Sequence, residues 1–333
     1  MKFGPVRTEQ AIGATLAHSV AVEGKARLRK GRVLDAADVT ALNAAGITEV
    51  TVARLEPDDV GEDAAAARLA QALVPDAGGA NVSLTKPFTG RVNILAQGPG
   101  VALIDSAAID AVNAIHPMIT VATVPPHQQM ADRGMLATIK IIAYAVPETA
   151  LAQACTEARA AISLAPPVVS SVRLIVTDIP GGVGDKGWRA IQERVAAFGL
   201  DLPEPLRVAH RIADLADVLR SSPADLTLIL TGSATSDPED VAPAAVRAAG
   251  GIVDRFGMPV DPGNLLFVGA LEAGAVIGLP GCARSPALNG ADWVLARVIC
   301  GQAVSSADIA GMGVGGLLKE IPTRPQPRRG PRT

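Results

Sequence analysis

Aromatic residues are nearly missing from this chain of 333: two Trp, one Tyr and five Phe make up 2% of it. A core with so few rings must be packed from Ala, Val, Leu and Ile, and the 49% hydrophobic content is enough to do so. The same scarcity removes the aromatic platforms on which single-stranded nucleic acid stacks. No large basic face stands out, and 30 Lys and Arg against 33 Asp and Glu leave a net charge of −3. Nucleic acid is therefore not expected as the main partner. Three widely spaced cysteines, Cys155, Cys282 and Cys300, contain no CxxC pair, which excludes a zinc or redox motif of that kind and fits reduced thiols. No apolar run reaches the roughly 18–20 residues that span a bilayer. The opening MKFGPVRTEQAIG also lacks the apolar stretch of a secretory signal. The expectation is a cytoplasmic chain with no membrane partner.

What is present divides into three patterned stretches and a tail. Residues 1–80 read as a small α+β module. A basic turn, RLRKGR (27–32), precedes an Asp35 cap and a helical pattern that ends at Gly46; a strand follows at 48–55 and an Ala-rich helix at 61–73. Residues 81–168 read as a second α+β module. Its strands are TGRVNILA, GVALI, MITVATV and the long MLATIKIIAYAV (135–146), and its helices are SAAIDAVNAI and LAQACTEARAAISL (151–164). From 170 to 320 strands and helices alternate, which predicts a doubly wound α/β domain around a mainly parallel sheet. The Pro-rich, basic tail 321–333 reads as disordered.

The chemistry concentrates in the third stretch. The apolar ADLTLIL (224–230) predicts a buried strand that empties into LTGSATSDPEDVAP (230–243). That loop is made of small and hydroxyl residues, Thr231, Gly232, Ser233 and Ala234, followed by three acids, Asp237, Glu239 and Asp240. Loops at the carboxyl ends of parallel strands that lead into helix N-termini are where α/β sheets hold anionic ligands. Helix capping competes for the same acids. Two Pro-Gly turns follow, GMPVDPGN (257–264) with Pro262, Gly263 and Asn264, and GLPGCARSP (278–286) with Pro280, Gly281, Arg284 and Ser285. Singly each is a turn; at the ends of one sheet they would converge on one crevice. VTDIPGGVGDKGW (176–188) places Asp185 at the entry to a helix but has neither the dinucleotide-binding nor the Walker spacing. His210 lacks the companions of a zinc site, and no base can be named for Cys282. Neither GxSxG nor HExxH occurs.

TGSATSDPEDVAP resembles the signature loop of the molybdopterin-binding domain shared by molybdopterin adenylyltransferases and molybdopterin molybdenumtransferases, with Thr231, Gly232, Asp240, Val241 and Pro243 at matching positions. DPEDVAPAAVRAAGG, GMPVDPGN, VIGLPGCARSP and DWVLARVICG look closer still to a less-characterised branch of molybdopterin-binding proteins. The opening segments AIGATLAHSV, KGRVLDAADVTALNAAG and GEDAAAARLA are similar to that branch too, so the resemblance covers essentially the whole chain. It implies molybdopterin or its nucleotide as ligand. Asp240 matches the acid near substrate and Mg²⁺, and Asp185 the acid at the start of the first helix. Thr231, Gly232, Ser233, Ala234 and Asp237 match the phosphate and pterin loop, and Pro262, Gly263, Asn264, Pro280, Gly281, Arg284 and Ser285 line the turns.

Three positions depart from the pattern. Ser233 replaces the second Gly of TGG, Cys282 replaces the Asn of LPGNP, and His210 stands where adenylyltransferases often have Asp. These departures favour a carrier over a transferase. The implied partners are a client molybdoenzyme or a cofactor-synthesis protein, with self-association into a homo-oligomer. The alternatives are a Mg²⁺-dependent adenylyltransferase or molybdenumtransferase and, more remotely, a competence-damage-type nucleotide pyrophosphatase.

Overall fold

The structure, a computed structural model, describes residues 1–22, 27–182 and 186–318. The described residues form two compact units, one from residues 1–98 and 102–164, the other from residues 99–101 and from 165 onward. Asp185 and the tail from 319 onward lie outside the described residues.

The first unit opens with β1 (Lys2–Arg7) and β2 (Thr15–Leu16), which flank β3 (Glu49–Arg54) in an antiparallel sheet. Between them, α1 (Ala36–Ala44) begins at Asp35 in a reciprocal cap: Asp35 accepts from the Asp38 amide, and Asp38 accepts from the Asp35 amide. Such pairing satisfies two amides that a helix start leaves open. Residues 11–52 bury their own cluster around Leu16, Leu34, Leu42 and Val52. A second cluster gathers β4 (Asp59–Gly61), α2 (Glu62–Leu73), β5 (Val82–Leu84), β6 (Arg91–Ala96), β7 (Gly100–Ile104), α3 (Ser106–Ile115), β8 (Ile119–Thr123), β9 (Gln129–Met130), β10 (Met135–Ile141), β11 (Ala145–Pro147), α4 (Glu148–Glu157) and β12 (Ile162–Ala165). The apolar stripe of α2, Ala65, Ala66, Leu69, Ala70 and Leu73, faces this second cluster. Strands pair antiparallel in the order β5-β6-β10-β8, and β4 pairs with β11.

Two expected elements break in this unit. The long strand 135–146 splits into β10 and β11, which join different sheets. β-branched residues run across the break, so composition alone hides it. The helix expected over 151–164 ends at Glu157, and Ala160 takes a left-handed φ of 51° before β12. Ala-rich sequence favours helix, but Ile162 and Leu164 instead bury themselves as strand residues.

In the second unit the predicted alternation is observed. It runs β13 (Val172–Asp178), α5 (Trp188–Ala196), β14 (Leu206–Ala209), α6 (Ile212–Ser221), β15 (Leu226–Leu230), α7 (Val241–Ala248), β16 (Ile252–Phe256), β17 (Phe267–Leu271), β18 (Gly274–Leu279), α8 (Gly290–Ile299) and α9 (Ser306–Ala310). Six strands form one mixed sheet in the order β14-β13-β15-β18-β17-β16; the first four are parallel, and β17 runs antiparallel to both of its neighbours, β18 and β16. Ile175, Ile229 and Val276 pack against Leu215 and Leu219 of α6 and Ala245 and Val246 of α7. The alternate residues Leu174, Val176, Leu228 and Ile277 are buried as well, as expected of parallel strands covered on both faces. No helix among the described residues is long and apolar enough to cross a membrane.

The sheet's entry is fastened by one carboxylate. Asp225 Oδ2 accepts from the Ser170 amide at 2.9 Å, the Ser170 hydroxyl at 2.5 Å and the Ser171 amide at 2.9 Å, and the Asp225 amide donates to the Ser171 hydroxyl. The Ser170 hydroxyl and then the two amides pull the Asp225 pKa down to about 2. A depressed folded-state value means the contribution is present above the ordinary value near 4 and fades as pH falls toward 2. Asp225→Asn is expected to lower the melting temperature at pH 6. The gap to the parent should close between pH 4 and 2 in thermal melts; parallel curves would contradict the assignment.

Candidate functional site

Strand pairing in the second unit decides which loops meet. Asp178 stands opposite Ala209, Val176 opposite Leu230, and Leu230 opposite Leu279, so four parallel strands finish at one edge of the sheet. The antiparallel pairs Phe256–Phe267 and Phe267–Gly278 bring the turn between β16 and β17 to that same edge. The loops 231–240, 257–264 and 280–286 therefore converge there, and with them Thr231, Gly232, Ser233, Ala234, Asp237, Asp240, Pro262, Gly263, Asn264, Pro280, Gly281, Arg284 and Ser285.

The first loop is seated by Thr177, the buried penultimate residue of β13. Its hydroxyl accepts from the Gly232 amide at 3.0 Å and lies 2.8 Å from His210 Nδ1. Gly232 is required by close approach, since a Cβ there would fall 2.6 Å from the Thr177 carbonyl oxygen. Beyond it, Ser233 and Ala234 are exposed, while Thr235 is buried and its hydroxyl lies 3.2 Å from that of Thr231. Among the described residues the Ser233, Ala234 and Thr235 amides have no protein acceptor. Three neighbouring amides left open at a strand end make a neutral cradle for an anion.

The acids stabilise the loop locally. Asp240 caps α7: one oxygen accepts from the Val241 amide at 2.7 Å and the other from the Ser236 amide at 3.1 Å. Asp237 accepts from the Glu239 amide at 2.8 Å, and Glu239 pairs with Arg247 at 2.9 Å on the surface. Among the described residues no group of three His, Cys, Asp or Glu side chains is placed to hold a metal ion.

Arg284 ties the third loop to the first. Its guanidinium donates to the Thr231 carbonyl at 3.0 Å and to the Lys186 carbonyl at 2.6 Å. Burial lowers its pKa, and the charge of Asp178 opposes that shift. Arg284 thus braces two walls of the edge. Gly187, at φ 93°, makes room for it; a Cβ would sit 2.4 Å from that of Arg284. Burial pushes the half-buried Cys282 thiol upward, with Asp261 adding to the rise, and a protonated thiol is a poor nucleophile.

Two anchors escape a reading of the sequence. Arg194 of α5 donates to the Asp292 carboxylate and to the carbonyls of Ala190 at 3.1 Å, Ala283 at 2.9 Å, Ser285 at 2.8 Å and Ala287 at 3.0 Å. Asn289 caps α8, and the next amide, of Gly290, donates to the Pro262 carbonyl at 2.8 Å, docking the second loop. Gly263 passes so close that a Cβ would lie 2.7 Å from the Gly290 nitrogen. Thr177 was legible only as a polar residue in an apolar strand, and Arg194 as an ordinary helix charge.

Comparison with known proteins adds little. A domain of unknown function, DUF8806, matches residues 5–54, nearly the span of the first buried cluster. No curated protein matches the sequence. Among solved structures, a molybdopterin biosynthesis MoeA protein from Pyrococcus horikosii is similar at 12% identity and a TM-score of 0.32, over 90% of this chain and 75% of that one. A molybdenum cofactor biosynthesis protein from Pyrococcus furiosus is similar at 13% identity and a TM-score of 0.21, over 85% of this chain and 58% of that one. The likeness is distant in both sequence and structure.

Arg194→Ala would take the guanidinium from a nearly buried carboxylate and leave the Ala283 and Ser285 carbonyls without their donor. The expected cost is about 3 kcal/mol in urea unfolding. Arg194→Lys should recover less than half of it, because an ammonium offers three donors in place of five. A loss below about 1 kcal/mol for the alanine variant would show that the loop is held by other means.

Proposed function

We propose that the second unit is a doubly wound domain that binds molybdopterin, or its nucleotide form, at the carboxyl edge of its parallel strands. The observation that supports this reading is the run of open amides at Ser233, Ala234 and Thr235, held by Gly232 on Thr177. A ligand phosphate would take those amides. The turns at Pro262–Asn264 and Pro280–Gly281 would supply backbone groups to the pterin. Mg²⁺ commonly binds through one or two carboxylates together with ligand phosphates. The half-buried Asp240 keeps lone pairs for that role beyond its two amide bonds.

Carriage is favoured over turnover. Arg284 is committed to the protein's own carbonyls, the Cys282 thiol is held protonated by burial, and Asp240 and Asp237 are engaged with loop amides. Asp185, the other residue implied in catalysis, lies outside the described residues. A client molybdoenzyme or cofactor-synthesis protein, and a second copy of the chain, are the partner classes this reading brings with it.

Calorimetry with molybdopterin is expected to show saturable binding at micromolar concentration. Gly232→Ala should weaken it at least tenfold, about 1.4 kcal/mol, by pushing the loop off Thr177. A folded protein that binds no pterin would reject the reading. Incubation with molybdopterin, ATP, Mg²⁺ and molybdate should give neither adenylated nor metallated product; turnover there would make the chain an enzyme.

A further inference from the structure

The basic turn of the sequence, RLRKGR (27–32), has no part in the site above and lies in the other unit. It is stitched to the strand-like stretch before it. Val20 and Leu28 exchange both backbone hydrogen bonds at 2.9 Å, the Lys30 amide donates to the Ser19 hydroxyl at 2.9 Å, and Gly31, at φ 84°, turns the chain so that its amide reaches the Leu16 carbonyl. Leu28 is buried, so Arg27 and Arg29 on either side of it are presented outward together.

These residues form one wall of an open pocket of about 560 Å³, whose lining includes Ser19, Arg27, Arg29, Lys30, Glu62 and Thr89. The volume suits a small molecule. Its charge is lopsided. Among the described residues of the lining three cations face one carboxylate, and Glu62 already has Lys140 at 3.7 Å. The Arg27 side chain makes only a long 3.4 Å bond to the Ser19 carbonyl, and the Arg29 side chain has no partner among the described residues. The Lys30 ammonium stands 5.6 Å from the centre of the Tyr144 ring and shares the Glu62 charge with Lys140. Neither the Arg27 nor the Arg29 guanidinium of this braced turn has a carboxylate partner among the described residues, and guanidinium forks and an ammonium match phosphate oxygens.

We infer that this pocket binds a phosphorylated small molecule, its phosphate held by Arg27, Arg29 and Lys30 and a ligand hydroxyl accepted by Glu62. The Ser19 hydroxyl, whose oxygen already accepts from Lys30, keeps its proton to donate to the ligand. Thr89 lies in the same lining, and its carbonyl accepts from Lys140, which fixes the far wall. A polynucleotide is disfavoured. The basic residues form a pocket rather than a track, and the net charge of the chain is negative.

Calorimetry of the full chain with inorganic pyrophosphate and with ADP tests the inference. Both should bind saturably, with ADP at least threefold tighter through its ribose hydroxyls. The double variant Arg27→Ala/Arg29→Ala should lose at least tenfold for both ligands while melting within about 2 °C of the parent, as expected for exposed side chains. Glu62→Gln should narrow the ADP preference and leave pyrophosphate bound. Gly232→Ala should change nothing here, so this inference and the molybdopterin reading fail separately. No saturable binding, or unchanged affinity in the double variant, would overturn the inference. So would an oligonucleotide that binds through the same arginines more tightly than ADP.

Discussion

Arg194 holds the candidate edge together. A guanidinium has five N–H groups, and all five find acceptors here: the Asp292 carboxylate and four backbone carbonyls. Three of those carbonyls belong to the loop between β18 and α8, which has little regular structure of its own. Because Arg194 sits on α5 and Asp292 on α8, the loop is pinned to two helices at once. Arg284 can then reach from that loop to Thr231, and the first loop inherits the position of the third. Rigidity is passed along through hydrogen bonds to main-chain oxygens, which any loop sequence of suitable shape would provide.

Parallel pairing sets which loops are available to be pinned. Four strands ending at one edge leave their following loops side by side, and the antiparallel return of β17 adds the turn before it. Small residues then let these loops interlock at close range. Gly232 lies on the Thr177 carbonyl, Gly187 on Arg284, and Gly263 on Gly290. Each is a place where a single carbon atom would separate two walls. The Gly-Pro character of the sequence thus reflects the spacing of the walls as much as any ligand.

The alternating pattern after residue 170 was readable because its strands are continuous apolar runs bounded by caps and turns, a signal set by burial on both faces. Asp35 and Gly46 were readable for a local reason: capping and left-handed φ are decided within a few residues. The split between β10 and β11 and the strand after α4 were hidden, since Ala, Val and Ile serve either structure and only pairing with distant strands decides. At the site, the loops could be located but their internal bonding could not. Asp240 fits the capping alternative weighed for it, Asp237 closes a short turn on the Glu239 amide, and Arg284 acts as a brace. Arg194 gives no sign of its role, because its five acceptors lie up to 98 residues away.

The two candidate anion sites differ in how they would meet charge. Around Ser233–Thr235 the donors are amides of fixed geometry with no net charge, so shape decides what fits and bulk salt has little to screen. Around Arg27 and Arg29 the donors are exposed cations on a braced turn, whose attraction reaches about a Debye length and weakens as ionic strength rises. A ligand with one phosphate attached to a rigid ring system suits the first arrangement. A flexible ligand with two phosphates suits the second, where several cations share the charge. The chain builds the first from small residues and the second from long ones, and each composition follows from what must approach the backbone and what must be kept at arm's length.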